Sequence, residues 1–160
     1  MIPEVLKDGA LVLTPFDVCE NTKGFDYLCD LATVYKYNNF QTKKQLLEIF
    51  KSHEYVIWAV EDAGTPYGVI FLVRDASLDT WFIHAYTNPG KANSDLSKRA
   101  AVLVIDFFFK NSGAAALAAC PNIKNKPLVS LCQTLGFEKK GTLGDFLVMG
   151  ITKTLWGKRG

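Results

Sequence analysis

Residues 125–137 read NKPLVSLCQTLGF and carry the signals that begin a helix, end it and start a strand. Asn125 can cap a helix, because its side-chain oxygen can accept a hydrogen bond from the first turn. Apolar residues then recur at helical spacing, and Gly136 stands where the chain must turn left-handed after the last turn. Phe137 is apolar again. The stretch therefore predicts a short helix over residues 125–135 that packs onto a following strand.

The composition is that of one ordinary globular domain. The chain has 160 residues, of which 49% are apolar and 21% charged, so it is long enough to bury one sizeable core. Lys and Arg number 18 against 16 Asp and Glu, which leaves a net charge of +2. This balance argues against an extended surface for nucleic acid or for a membrane. We therefore expect a single domain over residues 1–160 with small-molecule or protein partners.

The cysteines and histidines show no metal-binding pattern. No two cysteines form a C-x-x-C pair, and only two histidines could complete a site, so the sequence does not predict zinc. The residues concerned are Cys19, Cys29, Cys120, Cys132, His53 and His84. Neither a secretory leader nor an apolar run of membrane-spanning length is evident in the sequence. We expect a cytoplasmic protein with reduced thiols.

The first half of the chain predicts one strand, two helices and a meander. Residues 11–16 suit a first edge strand that stops at a proline. Apolar residues at helical spacing predict a helix over 22–37, and Thr42 can cap a second helix. Residues 55–60, 67–73 and 80–86 are rich in β-branched and aromatic side chains, with turns between them. They predict three consecutive antiparallel strands.

The second half predicts a helix, a strand, the helix already described and a hairpin. A long helix begins near residue 93 and runs to about residue 110, and its apolar residues on almost every side predict that it is buried. Residues 114–120 read AAALAAC, where alanine alone favours a helix, but the flanking Gly and Pro favour a buried parallel strand. Residues 138–143 and 145–152 form a hairpin across Gly144. The whole predicts an α/β fold with a mixed sheet of about seven strands, helices on both faces and a central β-α-β crossover.

This order of elements resembles that of the GNAT superfamily of acyl-CoA N-acyltransferases. The family's closing motif is usually Asn…Ala…Tyr…Gly-Phe, and here Asn125, Leu128, Cys132 and Gly136-Phe137 stand at those positions. The resemblance covers nearly the whole chain and is strongest over residues 55–152. The start of the long helix and the brief C-terminus are also similar to small GNAT-like proteins of tailed phages.

The resemblance implies that acetyl-CoA binds between two splayed parallel strands, here residues 80–86 and 114–120. The backbone of Ala85, Tyr86 and Thr87 would then contact the pantetheine arm in the manner of an added strand. Asn125, at the family's Asn, would also contact the cofactor.

The turn before the long helix would hold the diphosphate, since a helix N-terminus presents unpaired N–H groups and a positive dipole end. The family's signature there is Arg/Gln-x-x-Gly-x-Gly/Ala, whereas residues 89–94 read PGKANS. The small side chains are kept and Lys91 can still meet a phosphate. The alternative is a capped helix N-terminus without a ligand. The implied diphosphate residues are Gly90, Lys91, Ala92, Asn93 and Ser94.

Three side chains are candidates for catalysis. Cys132 falls at the family's Tyr, whose hydroxyl protonates the departing thiolate; a thiol could do the same, and the alternative is an inert buried cysteine. His84 is the candidate general base because its ordinary pKa lies near neutral pH. It shares a strand face with Tyr86, the third candidate; the alternative is a half-buried histidine packed between aromatic residues.

Two functions follow from these residues. The first is an N-acetyltransferase that passes acetyl from acetyl-CoA to an unidentified amine by direct attack. The second is a catalytically inactive GNAT-fold binding or assembly protein, phage-encoded or virion-associated, with a protein partner or further copies of itself. The resemblance also implies that the acceptor is recognised by the first two helices, their joining loop and the last hairpin. This region includes residues 35–40, which carry aromatic and amide side chains and no carboxylate cluster. Trp156 is expected to be a last strand residue or an exposed anchor for another chain.

Overall fold

The computed structural model describes residues 1–34, 42–88 and 94–159, which form eight strands and five helices. The strands are β1 (Leu6–Asp8), β2 (Leu11–Pro15), β3 (Glu54–Asp62), β4 (Thr65–Asp75), β5 (Thr80–Thr87), β6 (Ala116–Ala119), β7 (Glu138–Leu143) and β8 (Phe146–Thr152). The helices are α1 (Thr22–Val34), α2 (Lys43–Ser52), α3 (Ser94–Asn111), α4 (Lys126–Thr134) and α5 (Lys153–Gly157).

All eight strands lie in one sheet in the order β1-β2-β3-β4-β5-β6-β8-β7. Every neighbouring pair is antiparallel except β5 and β6, which run parallel. Helix α3 makes the crossover between these two strands. The predicted mixed sheet and its β-α-β crossover are therefore confirmed.

The sheet separates two hydrophobic cores. On one face α3 and α4 pack against the strands, and the Trp58 ring meets the Phe107 ring edge-on at 5.2 Å. On the other face α1 and α2 cover the middle strands, where Phe50 and Phe71 meet at 5.3 Å. Neighbouring residues of β3 alternate between the cores, as the pleat of a strand requires. Helices on both faces are therefore as predicted.

Both ends of α4 form as the sequence predicts. The Asn125 side chain accepts a hydrogen bond from the backbone N–H three residues later, at 3.3 Å. At the other end Gly136 has a φ of 90°. Its N–H donates to the Gln133 carbonyl at 3.0 Å, and the Phe137 N–H donates to the Cys132 carbonyl at 2.9 Å. These two hydrogen bonds satisfy carbonyl groups of the last helical turn, and the chain then continues into β7.

The alanine-rich segment is a strand, although alanine is the best helix former. Its four residues pair with β8 along their whole length, from Ala116 opposite Thr152 to Ala119 opposite Met149. Leu117 and Ala119 are buried in the core that α3 and α4 cover. Tertiary packing therefore overrides local helix propensity here.

Two terminal elements correct the sequence-based expectations. Residues 6–8 form β1, which turns through Gly9 (φ 61°) and pairs with β2, so β2 is not the edge strand. Trp156 lies in helix α5 rather than at the end of a strand. Its indole N–H donates to Asp106 at 2.6 Å, and the Arg159 guanidinium lies 4.4 Å from its ring centre. The predicted first helix is described only as far as Val34, because residues 35–41 lie outside the described residues.

One close approach between β4 and β5 sets the path of the end of β5. Gly68 pairs with Thr87. A Cβ atom at Gly68 would lie 2.3 Å from the Tyr86 carbonyl oxygen and 3.1 Å from the Thr87 Cα. Only glycine therefore allows the backbone of β5 to pass here without displacement.

We expect Gly68→Ala to lower the free energy of unfolding by about 1–3 kcal/mol, because the added methyl group forces the two backbones apart. Urea denaturation measures this change. The matched control is Gly141→Ala in β7, where an added Cβ has no atom within 4 Å. There alanine is expected to be neutral or slightly stabilising. Equal stability of the two variants would contradict the steric argument.

Candidate cofactor cleft

The parallel strands β5 and β6 stay together at a single register pair, Phe82 with Ala118. Their ladder does not continue beyond this pair, although β5 stays paired with β4 as far as Thr87. The carboxyl ends of the two strands are therefore separated by a gap. Such a gap at the switch between crossover strands is where open α/β sheets bind ligands.

Two adjoining cavities occupy this gap. The outer cavity, about 890 Å³, is lined by residues 85–87, by the first turns of α3 and by α4. The inner cavity, about 260 Å³, is lined by residues 83–86, by residues 119–122 at the end of β6, by α4 and by the β7–β8 hairpin. Both cavities share Ala85, Leu128 and Leu131, among other residues. They are two parts of one cleft.

The structure brings four of the expected cofactor residues together. Ala85, Tyr86, Thr87 and Asn125 all line the outer cavity, the first three from β5 and the last from the cap of α4. These residues are distant in sequence, and the pairing of β5 with β6 and the packing of α4 make them neighbours.

The expected diphosphate turn lies almost entirely outside the described residues. Helix α3 begins at Ser94, beside the outer cavity, but nothing is described of this residue's side chain. The expected residues that lie outside the described part of the chain are Gly90, Lys91, Ala92 and Asn93.

Charges at the start of α3 are partly balanced. Asp95 and Lys98 both line the outer cavity. The Asp95 carboxylate lies 3.6 Å from Arg99, whose guanidinium also donates to Asp8 at 2.6 Å. The hydrogen bond from Arg99 holds the pKa of Asp8 below its usual range. A guanidinium between two carboxylates reduces the repulsion that Asp95 would exert on a bound anion.

The start of α3 is also tied to the sheet. The hydroxyl groups of Tyr67 in β4 and Ser97 in α3 share a hydrogen bond of 2.6 Å. Both residues line the outer cavity, so this contact fixes the distance between two of its walls.

His84 lies in the inner cavity and packs against aromatic rings. Its imidazole stacks on Phe71 at 4.9 Å with an interplanar angle of 18°, and the Tyr86 ring lies 6.0 Å from the same phenyl group. His84 and Tyr86 therefore share the sheet face that α1 and α2 cover. Burial lowers the pKa of His84 to about 4, so the ring is neutral at neutral pH.

Cys132 is buried in α4 and lines the inner cavity. Burial raises the pKa of this thiol to about 12, and the neighbouring Cys120 adds to the rise. A thiol with this pKa would have to give its proton to a thiolate of pKa about 8.5, which costs roughly 5 kcal/mol. The environment of Cys132 thus favours an inert buried thiol over a proton donor.

The sequence did not point to the inner cavity. Its described lining carries no Asp, Glu, Lys or Arg. Ile83 and Ala85 pack in the core that α3 and α4 cover, whereas Tyr86 packs in the core that α1 and α2 cover. All three residues line the inner cavity, so it reaches through the gap from one sheet face to the other. The helical spacing of Leu128 and Leu131 was the available signal, but it is equally typical of a core-facing helix.

Within the described residues, no group of three or more His, Cys, Asp or Glu side chains could hold a metal ion. The helices of the same residues include none long and apolar enough to cross a membrane.

No protein-family model matches the sequence, and no curated protein matches it. Solved structures do match the fold. A spermidine N-acetyltransferase from Vibrio cholerae, solved as a dodecamer, is 15% identical with a TM-score of 0.76, over 96% of this chain and 99% of its own. The spermidine N-acetyltransferase of the same organism in complex with CoA and spermine is 15% identical with a TM-score of 0.73, over 93% and 99%.

A GNAT-family acetyltransferase from Bacillus anthracis is likewise 15% identical, with a TM-score of 0.68 over 94% of this chain and 99% of its own. At this level of identity the likeness concerns the fold. It extends over almost the full length of both chains, including the eight-stranded mixed sheet and the helices on its two faces. The chain therefore has the fold of the GNAT acetyltransferases.

Proposed function

We propose that this protein is an N-acyltransferase that passes an acetyl group from acetyl-CoA to an amine by direct attack. The observation that carries the proposal is the gap at the carboxyl ends of β5 and β6, with residues 85–87 along one wall and the start of α3 at its rim. A solved structure of the same fold in complex with CoA and spermine supports CoA as the ligand.

The cleft fits such a cofactor in size and chemistry. The outer cavity of about 890 Å³ falls in the range of small-molecule sites, roughly 300–1,000 Å³. Backbone groups of Ala85, Tyr86 and Thr87 would bind the pantetheine amides, while Leu128 and Leu131 would cover its carbon chain. The N-terminus of α3, Lys98 and the turn residues 90–94 would hold the diphosphate.

Catalysis in this proposal depends mainly on positioning. Acetyl-CoA supplies the activated acyl group, and the chain holds it beside the incoming amine in one complex. The neutral ring of His84 would accept a hydrogen bond from the amine, with Tyr86 beside it. Because the pKa of His84 is about 4, protons would leave through water rather than remain on the ring. The raised pKa of Cys132 likewise favours water over this thiol as the proton source for the leaving group.

The acceptor is proposed only as an amine. Two of the structures with the same fold are enzymes named for spermidine, and one of them is dodecameric, which supports an amine acceptor and self-association as expectations for this chain.

The second candidate is a GNAT-fold binding or assembly protein without catalysis, of the phage type. The buried, high-pKa Cys132 in place of the usual tyrosine favours this candidate. So does the PGKANS sequence at the turn. The two candidates differ in whether acetyl-CoA binds.

Acetyl-CoA at about 100 times its dissociation constant should stabilise the native protein by about 2.7 kcal/mol, because the ligand binds the folded state alone. For a chain of this size the midpoint of thermal unfolding should rise by roughly 5–10 °C. Differential scanning fluorimetry measures the shift. Millimolar acetyl-CoA without any shift would remove the enzyme proposal and leave the binding protein.

A matched pair of variants locates the binding site. Leu128→Trp fills the wall that both cavities share and should abolish the shift. Gln133→Trp introduces the same side chain at an exposed position of α4 that lines neither cavity. This variant should retain the thermal shift with acetyl-CoA. Loss of the shift in both variants, or in neither, would place the ligand elsewhere.

The burial of His84 predicts a pH dependence of stability. The pKa is lowered from 6.5 to about 4 in the folded chain, so between these values the unfolded chain binds a proton that the folded chain does not. The free energy of unfolding should therefore fall as pH drops from about 6.5 to about 4, by at most about 3 kcal/mol, with no contribution from this group above that window.

Urea denaturation at pH 7 and pH 4.5 tests this dependence in the wild-type protein and in His84→Gln, which retains all other titrating groups. The variant should lose less stability over the same interval. An NMR titration of the His84 ring gives an independent check, since a midpoint near 6.5 would overturn both the lowered pKa and the neutral-ring role.

A further inference from the structure

The inner cavity differs from the outer one in chemistry. Its described lining has no charged side chain; the polar side chains are Asn122, Asn125, the neutral His84, the Tyr86 hydroxyl and two protonated thiols. Its volume of about 260 Å³ is many times the roughly 10–15 Å³ that one water molecule requires. An acetyl group, with two carbons, would leave most of this space unfilled.

The β7–β8 hairpin lines one side of the inner cavity. The Leu147 N–H donates to the Pro121 carbonyl at 2.9 Å, and the Ile123 N–H donates to the Asp145 carbonyl at 2.8 Å. These bonds hold the β7–β8 hairpin across the segment that follows β6. They place Phe146 of that hairpin in the lining of the cavity.

The inner cavity is continuous with the proposed pantetheine path. Ala85, Leu128 and Leu131 line both cavities, so a group at the end of the pantetheine arm would enter the inner cavity directly. Described residues of α1 and α2 line neither cavity. His84 and Tyr86 line the inner cavity from the sheet face that α1 and α2 cover, and α4 lines it from the opposite face. In the proposed function the amine meets His84, so the space toward α4 remains for the acyl side of the thioester.

A polycationic amine does not fit the inner cavity. Ammonium groups inside it would lose their hydration without a carboxylate to pair with among the described lining residues. An alkyl chain, in contrast, would be stabilised by every methylene that it buries against the leucine and phenylalanine side chains.

We propose that the inner cavity binds an apolar acyl chain longer than acetyl, carried on CoA, and that the protein transfers this longer acyl group. The inference rests on the proposed function. In the transfer the amine nitrogen forms a bond to the acyl carbon and the carbon–sulfur bond of the thioester breaks. The proton that the amine loses ends on the CoA thiol.

The test is a series of dissociation constants for CoA, acetyl-CoA, butyryl-CoA, hexanoyl-CoA and octanoyl-CoA, measured by isothermal titration calorimetry. The affinity should rise about threefold to fourfold for each added methylene until the cavity is filled. A flat series with measurable acetyl-CoA binding would overturn the acyl-chain inference and leave the proposed function standing. Failure of every CoA compound to bind would overturn the proposed function itself.

Cys120 offers a variant pair, because it lines the inner cavity and not the outer one. Cys120→Phe places a ring in the cavity and should flatten the rise of affinity with chain length. Cys120→Ala adds no bulk, so the affinity should still rise with acyl-chain length. Leu143→Glu changes a hairpin residue that is 72% exposed, so it is expected to fold, and its charge at the cavity should also weaken the longest chains most. If the affinity still rises with acyl-chain length in both Cys120→Phe and Leu143→Glu, the acyl chain binds outside the inner cavity.

An apolar acceptor is the other source of an alkyl group. With the protein saturated by acetyl-CoA, butylamine, hexylamine and octylamine are titrated in the same way. If affinity rises along the amines and stays flat along the acyl-CoA series, the cavity holds the acceptor and the inference is overturned. A rise along the acyl-CoA series alone supports it.

Discussion

The single register pair between β5 and β6 is the constraint on which the rest of the structure depends. Strand β6 is only four residues long and is fully paired with β8 on its other side. Strand β5, in contrast, stays paired with β4 for eight residues. The sheet must open where the two parallel strands end, and this opening is the cleft. A longer β6 that stayed paired with β5 would close this opening.

The two parts of the cleft differ in the charge of their described linings. At the outer rim, Asp95 and Lys98 lie at the start of α3, and Arg99 lies 3.6 Å from the Asp95 carboxylate. Inside, burial keeps His84 neutral and Cys132 protonated. An uncharged interior favours apolar groups and neutral amines, and it disfavours proton transfer to buried side chains. The same burial that makes the inner cavity apolar thus weakens the two side chains that the sequence suggested as acid and base.

Local signals predicted much of the fold. The cap at Asn125 and the left-handed turn at Gly136 satisfy backbone groups that any helix leaves unpaired at its ends, and both are seen in the structure. The alternation of apolar residues predicted the meander, and the flanking Gly and Pro identified β6 against the helix propensity of alanine. Strand β1 and helix α5 were missed, because their stability comes from pairing with β2 and from the Trp156–Asp106 contact rather than from periodicity.

The candidate site was predicted in part. The sequence by itself determined which residues end strand β5, that His84 and Tyr86 share one of its faces, and where a helix N-terminus follows, since strand period and helix caps are local properties. Only the tertiary structure decided that Asn125 and residues 85–87 meet across a gap, and that Gly68 must lack a side chain to let β5 pass. It also decided that the pKa values of His84 and Cys132 move away from neutrality. Distances between remote segments and the loss of water around a group arise only when the sheet and helices pack, so no local pattern encodes them.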